Sequence, residues 1–275
     1  MNLPFQKLSA NGNDFVALDN RGTLPALEGP AVMQWLCDRR RGVGADGVLL
    51  VENAPGADFR MRIFNPDGSE ADMCGNGARA CAQFAHSLGI GGTELRFETR
   101  AGAQRVRLEG GHSTLWLGGI VEDPGHLPRL EQDVRLVAGI QPARLLGFLR
   151  VGVPHFVLST EDVDSLPIDT IGPLVRYHES FAPEGTNVIF VQRVDASRVK
   201  VRAWEKGVEG ETEGCGTGCI AACALLARQG LVGASVQAAM KGGVMTVARD
   251  DQGLNFSGEV HLAFSGHIDL PDTAR

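Results

Sequence analysis

Residues 215–229 read CGTGCIAACALLARQ, a stretch whose side chains after residue 218 are small and apolar almost all the way round. A helix of a soluble protein with no polar face must be buried on every side. A sheet that wraps around a central helix meets this requirement. Gly230 follows and suits a helix C-cap, so we predict a buried helix over residues 216–229.

The start of this helix has a counterpart in the first half of the chain. Cys74-Gly75-Asn76-Gly77 opens a second predicted helix, over residues 75–88, which ends at Gly89. Cys215 follows Cys74 by 141 positions (74 to 215), and the segment from Gly152 follows a similar one from Gly12 by 140 (12 to 152). Predicted strands 60–64 and 201–204 end ten or eleven residues before these cysteines. These ordered correspondences indicate a duplication.

The expected fold class is therefore α+β, with two similar domains related by a pseudo-twofold axis. Each domain is expected to be a mostly antiparallel sheet wrapped around a central helix. Runs of apolar residues bounded by Gly, Pro, Asn and Asp predict the strands. The predicted strands cover residues 14–19, 47–52, 60–64, 113–117, 156–159, 188–192 and 199–204, and a first helix covers residues 31–40.

Composition narrows the class of protein. The chain has 275 residues, which favours about two domains, and its 43% hydrophobic and 21% charged residues are typical of a globular protein. The net charge is −7 and the Lys and Arg residues form no basic stripe, which argues against nucleic acid as a partner. No apolar run is long enough for a membrane span, and the first residues lack a signal-peptide pattern. We expect a cytoplasmic protein.

The six cysteines do not form a recognisable structural pattern. They are too few for a disulfide scaffold, and no CxxC pair points to a structural zinc site. Each is either a small core residue or a reactive thiol. Cys215, Cys219 and Cys223 have a spacing that could line one helix face for a metal, but buried small side chains explain it better, and we expect no metal.

Cys74 and Cys215 each stand at the entry to a predicted helix. Helix N-termini stabilise thiolates and bind anions such as carboxylates. If the halves are related by a twofold axis, the two sulfurs can lie on opposite faces of one substrate carbon. That arrangement suits removal of a proton from one face and its delivery to the other, which inverts a stereocentre next to a carboxylate without a cofactor. A disulfide between the two cysteines would abolish this chemistry.

These residues resemble the diaminopimelate epimerase family, whose motifs match through the whole chain. The matching segments are Gly12-Asn13-Asp14-Phe15, residues 42–47 (GVGADG), residues 64–70 (FNPDGSE), residues 73–79 (MCGNGAR), Pro154-His155, Thr186-Asn187-Val188, Glu205-Lys206-Gly207, Glu211-Thr212 and Cys215-Gly216-Thr217-Gly218. The stretch from Phe64 to Arg79 is the most specific of these segments.

The resemblance implies a function and a role for each site residue. The implied reaction converts LL-diaminopimelate to the meso form, for lysine and peptidoglycan precursor synthesis, in a homodimer. Cys74 and Cys215 would be the two bases, with His155 and Glu205 as catalytic neighbours. The helix starts would hold the reacting carboxylate through Gly75, Asn76, Gly216 and Thr217. The far end of the substrate would be bound by Asn13, Asn65 and Asn187, and Lys206 would be a further substrate-binding residue.

The resemblance also implies the domain boundaries. Residues 1–118 with 263–275 would form the domain that carries Cys74, and residues 119–262 the domain that carries Cys215, with the active site in the cleft between them. Three positions depart from the family pattern: Val153 replaces an Asn, Lys206 replaces an Arg, and Gly47 replaces a Gln found in some members.

Two alternatives stay open. One is a cofactor-independent racemase of another amino acid, such as histidine. The other is a non-catalytic redox or metal-binding thiol protein.

Overall fold

The computed structural model describes residues 2–22, 27, 29–117, 121–122 and 144–270. The chain divides into two compact units, Met1–Trp116 with Ser257–Arg275, and Leu117–Phe256. We refer to them as unit 1 and unit 2. The last strand, β17 (Gly253–Asp269), begins in unit 2 and ends in unit 1.

In unit 1 the sheet closes on itself. Strand β1 pairs with β2, β2 with β3, β3 with β4, β4 with β6, β6 with β7 and β7 with β8, while β17 pairs with both β8 and β1. The strands are β1 (Asn2–Ala10), β2 (Asn13–Asp19), β3 (Gly47–Glu52), β4 (Phe59–Phe64), β5 (Glu70–Ala71), β6 (Glu94–Thr99), β7 (Gly102–Glu109) and β8 (His112–Trp116).

Helix α2 (Gly75–Ser87) lies inside this sheet and contacts β1, β2, β3, β4, β7 and β8. Its residues from Gly75 to Ala82 are all buried. Small residues allow this, since strands can approach a helix made of Gly and Ala from every direction. At Gly77 an added Cβ would lie 2.9 Å from Ile63 Cδ1 of β4. The helix ends before Gly89, whose φ of 77° suits the left-handed C-cap conformation.

Unit 2 repeats the order and the sense of pairing. In unit 1, the successive pairs β1–β2, β2–β3, β3–β4, β4–β6 and β6–β7 are antiparallel, parallel, antiparallel, parallel and antiparallel. In unit 2, the pairs β10–β11, β11–β12, β12–β13, β13–β15 and β15–β16 follow the same alternation. The strands are β9 (Val121–Glu122), β10 (Arg144–Val151), β11 (Val153–Thr160), β12 (Asn187–Arg193), β13 (Arg198–Glu205), β14 (Gly210–Thr212), β15 (Ser235–Met240) and β16 (Gly243–Asp250).

The register of the repeat agrees with the offset read from the sequence. Phe15 pairs with Gly47 between β2 and β3, and His155 pairs with Asn187 between β11 and β12. Both residues of the second pair lie 140 positions after those of the first (15 to 155 and 47 to 187). Each unit is thus a largely antiparallel sheet around one helix, which confirms the predicted fold class.

The central helix of unit 2 is α4 (Gly216–Arg228), which contacts β10, β11, β12, β13, β15 and β16. It carries the apolar sequence on which the fold prediction rested, and nine of its 13 residues are buried. Gly230, with φ of 69°, follows its end. Among the described residues, no helix combines the length and the hydrophobicity needed to cross a membrane.

Two helices cover the outer faces of the sheets and differ from prediction. Helix α1 (Pro30–Cys37) ends three residues earlier than predicted, because the Asp38 carboxylate accepts the backbone N–H groups of Arg40 and Arg41 and stops the helix. Helix α3 (Ile168–Arg176) was not predicted, since it contains Pro173. Both connect parallel strands, which need a crossover rather than a hairpin.

Candidate active site

Cys74 is the N-cap residue of α2. Its backbone is extended, and its Sγ accepts the Gly77 N–H at 3.5 Å. The residue is half-buried. The first amides of an α-helix have no partner within the helix and carry the positive end of its dipole. A thiolate at Cys74 and a carboxylate beside the amides of Gly75 and Asn76 are both stabilised by this position.

Four polar side chains near Cys74 form a chain of hydrogen bonds. Arg79 Nη2 donates to Asn76 Oδ1 at 2.7 Å and to Asn11 Oδ1 at 2.6 Å. Asn76 Nδ2 in turn donates to Asn13 Oδ1 at 2.6 Å. The structure therefore brings Asn13 and Asn76, two of the predicted substrate-binding residues, into direct contact.

Asn65 is placed differently from the other predicted residues of unit 1. It is exposed in the turn after β4, where its Nδ2 donates to Ser69 Oγ at 3.0 Å and its backbone pairs with Ser69 and Gly68. These bonds stabilise the turn, a common use of Asn. In the repeat, Asn65 is the counterpart of Glu205, 140 positions later (65 to 205).

Cys215 occupies the equivalent N-cap position on α4, in different surroundings. Only 2% of its surface is exposed, whereas Cys74 is half-buried. Burial raises the pKa of the Cys215 thiol well above its usual range, and the Glu205 carboxylate adds to this, while the Gly218 amide acts in the opposite direction. Gly218 has no room for a side chain, because a Cβ there would overlap Ile189 Cδ1 and lie 3.0 Å from Cys215 Sγ.

Glu205 ends strand β13 and faces the thiol of Cys215. Its carboxylate accepts the Thr212 hydroxyl and the Cys215 thiol. Burial raises the pKa of the Glu205 carboxyl above its usual value, although both hydrogen bonds oppose the shift. A carboxylate beside this sulfur favours the thiol over the thiolate, since two neighbouring negative charges repel each other.

A buried imidazole approaches Cys215 from the other side through one hydroxyl. Thr217 Oγ1 lies 2.9 Å from His155 Nε2 and 3.8 Å from Cys215 Sγ. Asn187 Nδ2 lies 3.3 Å from the same ring nitrogen and can only donate, so Nε2 is an acceptor and the proton of the neutral ring is on Nδ1. Burial lowers the pKa of His155 to about 4, which agrees with a neutral ring.

Lys206 contributes both its backbone and its charge. Its backbone N–H donates to Asn187 Oδ1 at 2.8 Å, which fixes the amide that faces His155. Its Nζ lies 3.8 Å from Glu184 Oε1. Both terminal nitrogens of Arg150 donate to the same carboxylate, at 2.9 and 2.6 Å. A cluster of one carboxylate and two cations thus adjoins the predicted substrate residues of unit 2.

Sequence reasoning missed several of these neighbours. Arg79 was part of a matching motif but had no assigned role, although an arginine within a helix of small apolar residues is an unusual feature. Thr212 likewise lay in a matching segment. Glu184 and Arg150 carried no local signal, because they approach Lys206 only through the folding of strands β10 and β13. In the described part of the chain, no group of three or more His, Cys, Asp or Glu residues could hold a metal ion.

Comparisons with known proteins agree on one family. The sequence model of diaminopimelate epimerase matches residues 5–118 and 147–262. The chain is 36% identical to diaminopimelate epimerase of Aquifex aeolicus over 97% of this chain and 98% of the relative. It is 39% identical to diaminopimelate epimerase of Methanothrix thermoacetophila over 90% of this chain and 88% of the relative.

Solved structures of lower sequence identity share the fold. A phenazine biosynthesis protein of the PhzF family from Bacillus anthracis aligns with a TM-score of 0.72 at 16% identity, over 98% of this chain and 100% of that one. A hydroxyproline epimerase from Agrobacterium vitis aligns with a TM-score of 0.63 at 17% identity, over 98% and 93% of the two chains. At such identities the likeness concerns the fold alone.

Proposed function

The chain belongs to the diaminopimelate epimerase family, and we propose that it is an isomerase that interconverts LL- and meso-diaminopimelate with Cys74 and Cys215 as the two bases. The observation that carries the proposal is the equivalent placement of the two cysteines, each at the N-cap of the central helix of its unit. The product serves lysine and peptidoglycan precursor synthesis.

The two thiols start from opposite protonation states. Cys215 is buried and donates to Glu205, which supports the thiol form and hence the role of acid. Cys74 is half-buried at a helix N-terminus and accepts the Gly77 amide, which supports the thiolate and the role of base. Cys74 then removes the α-proton from one configuration, and Cys215 delivers a proton to the opposite face. For the other configuration the roles reverse.

Stabilisation of the developing negative charge comes from the helix starts. Removal of the α-proton moves negative charge onto the neighbouring carboxylate, and helix amides aimed at that group stabilise the charge as it forms. We assign this role to the amides of Gly75 and Asn76 on α2 and of Gly216 and Thr217 on α4. The chemistry requires no electron sink beyond these groups, so the proposal includes neither a metal nor an organic cofactor.

We propose that amide side chains and one cation bind the far end of the substrate. Diaminopimelate carries a second ammonium and carboxylate there, which need hydrogen-bond acceptors and donors respectively. Amide side chains supply both, and Lys206 supplies a positive charge. The assigned residues are Asn13, Asn65, Asn187 and Lys206.

The mechanism requires both thiols to reach one α-carbon. We therefore propose that residues 1–118 with 263–275 and residues 119–262 act as two domains that share one active site. We further propose that the enzyme works in the cytoplasm, where both thiols stay reduced, and as a homodimer. Exposed Leu262 and Phe264 on β17, at 47% and 50% of their surface, support self-association; light scattering of the purified protein would measure its mass.

Deuterium uptake at the α-carbon of LL-diaminopimelate in heavy water tests the proposal. The reduced protein is assayed without pyridoxal phosphate, beside Cys74→Ala, Cys215→Ala and, as a matched control, Cys37→Ala. We expect uptake and epimerisation by the wild type and Cys37→Ala, and loss of epimerisation in the other two. No uptake by the folded, reduced wild type would refute diaminopimelate as substrate.

A second candidate is a racemase of another amino acid. Two observations favour testing it: Val153 offers no side-chain hydrogen bond, and Lys206 lacks the planar fork with which Arg grips a carboxylate. This candidate predicts deuterium uptake into a different amino acid, such as histidine, with the same two cysteines. A redox or metal-binding thiol protein predicts no uptake into any amino acid.

A further inference from the structure

The two units place different residues behind their cysteines. Arg79 lies five positions after Cys74 in α2, and Ile220 lies five positions after Cys215 in α4. Both are fully buried, with 0% of their surface exposed. Unit 1 thus has a buried cation at a position where unit 2 has an apolar side chain. Burial of a charge has a large cost in free energy. If the side chain at this position only filled space in the core, an isoleucine would serve in both units, so the arginine indicates a further role.

The guanidinium of Arg79 points back towards the start of its helix. Long side chains in helices lean towards the N-terminus, and here Nη2 reaches Asn76, three residues earlier, at 2.7 Å and Asn11 at 2.6 Å. The bond to Asn76 Oδ1 leaves Asn76 Nδ2 directed at Asn13. Gly258 provides space for this arrangement, since a Cβ there would lie 2.9 Å from Arg79 Nη1.

On β2, β4 and β7, the strand residues that face α2 are apolar. Side chains alternate between the two faces of a strand. Val16 and Leu18 of β2, and Phe64 of β4, pack with α1 on the outer face, which leaves Phe15 and Ile63 to face α2. On β7, the buried residues Val106 and Leu108 alternate with half-buried or exposed charged ones.

The charged groups of these strands lie on the outer face and are paired there. On β2, the carboxylate of Asp14 binds Lys7 at 2.7 Å and Arg39 at 2.7 Å, and Arg39 also binds Asp46. On β4, Arg62 binds Glu70 at 2.9 Å and Glu52 at 3.3 Å. On β7, Arg105 and Arg107 bind Glu94.

Arg79 and Cys74 interact electrostatically. Burial lowers the pKa of Arg79 to about 10, and the charge of a Cys74 thiolate acts in the opposite direction. Such an interaction is reciprocal, because a thiolate that favours the arginine cation is itself favoured by that cation. At Cys215 the neighbouring carboxylate of Glu205 acts in the opposite sense and raises the pKa of the thiol.

We propose that Arg79 is a positioning residue that sets the resting protonation state of Cys74. Its charge holds Cys74 as the thiolate, and its hydrogen bonds hold the Asn76–Asn13 amide pair in one orientation. Glu205 holds Cys215 as the thiol. The inference rests on the proposed function for its purpose, but the ionisation of Cys74 can be measured without any turnover.

The test is the pH dependence of Cys74 alkylation by iodoacetamide, followed by mass spectrometry of the peptide that carries Cys74. Wild type is compared with Arg79→Lys, which keeps the charge, and with Arg79→Gln, which removes it. We expect the midpoint for Arg79→Gln to rise by about one pH unit, with roughly tenfold less thiolate below the midpoint. Arg79→Lys is expected to stay near the wild type.

A second variant covers the case in which Arg79→Gln does not fold. Asn11→Asp keeps the shape of the residue and its bond to Arg79, and its φ of 50° is tolerated by Asp. The new carboxylate offsets the arginine charge, so the Cys74 midpoint is again expected to rise. An unchanged midpoint in folded Arg79→Gln, or in Asn11→Asp if Arg79→Gln is unfolded, would overturn the inference.

The outcomes separate this inference from the proposed function. A shifted midpoint in a protein that exchanges no substrate hydrogen would support the role of Arg79 and refute the epimerase. Steady-state kinetics distinguish the proposed role of Arg79 from a purely structural one. If Arg79 only stabilised the fold, Arg79→Gln would lower kcat through lost folded protein and leave the pH at half-maximal kcat/KM unchanged; we expect that pH to rise with the alkylation midpoint.

Discussion

Thr217 Oγ1 lies 2.9 Å from His155 Nε2 and 3.8 Å from Cys215 Sγ, so one hydroxyl connects a buried imidazole with a buried thiol. Since Nε2 accepts from Asn187, it carries no proton, and the Thr217 hydroxyl donates its hydrogen to the ring. The Cys215 thiol donates its single hydrogen to Glu205, so the Thr217 hydroxyl holds the imidazole beside the thiol without accepting the thiol proton.

Replacing Thr217 with Val removes the hydroxyl and keeps the shape of the side chain. We expect kcat to fall about five- to tenfold, since one net hydrogen bond contributes about 1 to 1.5 kcal/mol. Thr217→Ser keeps the hydroxyl and should retain most of the activity. Steady-state epimerisation kinetics of both variants would measure the difference, and equal rates for Val and Ser would contradict the role of the hydroxyl.

His155 should make the folded protein less stable in mild acid. Its pKa is lowered from 6.5 to about 4 by burial, so the unfolded state binds a proton more readily than the folded state. The contribution of neutral His155 is present above about pH 6.5 and is lost as the pH falls towards 4, by about 3 kcal/mol. Urea unfolding at pH 7 and pH 4.5 measures this loss.

A matched pair of variants isolates this histidine. Glu205, whose pKa is raised, contributes the opposite pH dependence, so the comparison must be between variants and not between pH values alone. His155→Gln should unfold with a smaller loss of stability between pH 7 and 4.5 than the wild type. The same change at exposed His112 should leave the wild-type loss unaltered; equal losses in all three proteins would refute the prediction.

Gly218 should tolerate no larger residue. In Gly218→Ala the new Cβ meets Ile189 Cδ1 and lies 3.0 Å from Cys215 Sγ, and overpacking of this kind costs about 1 to 3 kcal/mol of stability. Adding Ile189→Val removes the overlapping methyl group, so the double variant should regain stability. It should not regain full activity, because the contact with the sulfur persists. Gly92→Ala, which meets nothing within 4 Å, serves as the control in thermal unfolding and activity assays.

Lys206 should act on substrate binding more than on the chemical step. Lys206→Met removes a charge from the proposed site for the far carboxylate, and we expect KM to rise about tenfold with little change in kcat, as when a uniform binding interaction is lost. Lys206→Arg should lower KM, since Arg binds carboxylates through two parallel hydrogen bonds. Lys200→Met, which loses a surface ion pair with Asp164, is the control. A loss of kcat at unchanged KM would contradict this assignment.

The sequence by itself determined the duplicated fold and the two cysteines. The apolar stretch after Cys215 could only be a helix buried on all sides, and its partner after Cys74 lies at the same offset as the flanking strands. Both helices and the glycines that end them are confirmed. Local signals sufficed here, because helix caps, glycine and periodic apolar residues act over a few positions. Helix α1 is shorter than predicted because Asp38 binds the amides that follow it, and α3 forms although it contains Pro173. The effects of both residues depend on their structural context.

Tertiary structure alone decided how the two cysteines differ. The motifs around Cys74 and Cys215 are nearly the same, yet Cys74 is half-buried and Cys215 is buried beside Glu205. Burial and charge at a sulfur depend on side chains from distant strands, such as Glu205 on β13. The pairing of Arg79 with two asparagines likewise needs β1 and α2 to pack together. No local sequence pattern encodes such contacts, because they arise only when the closed sheet brings its strands around the helix.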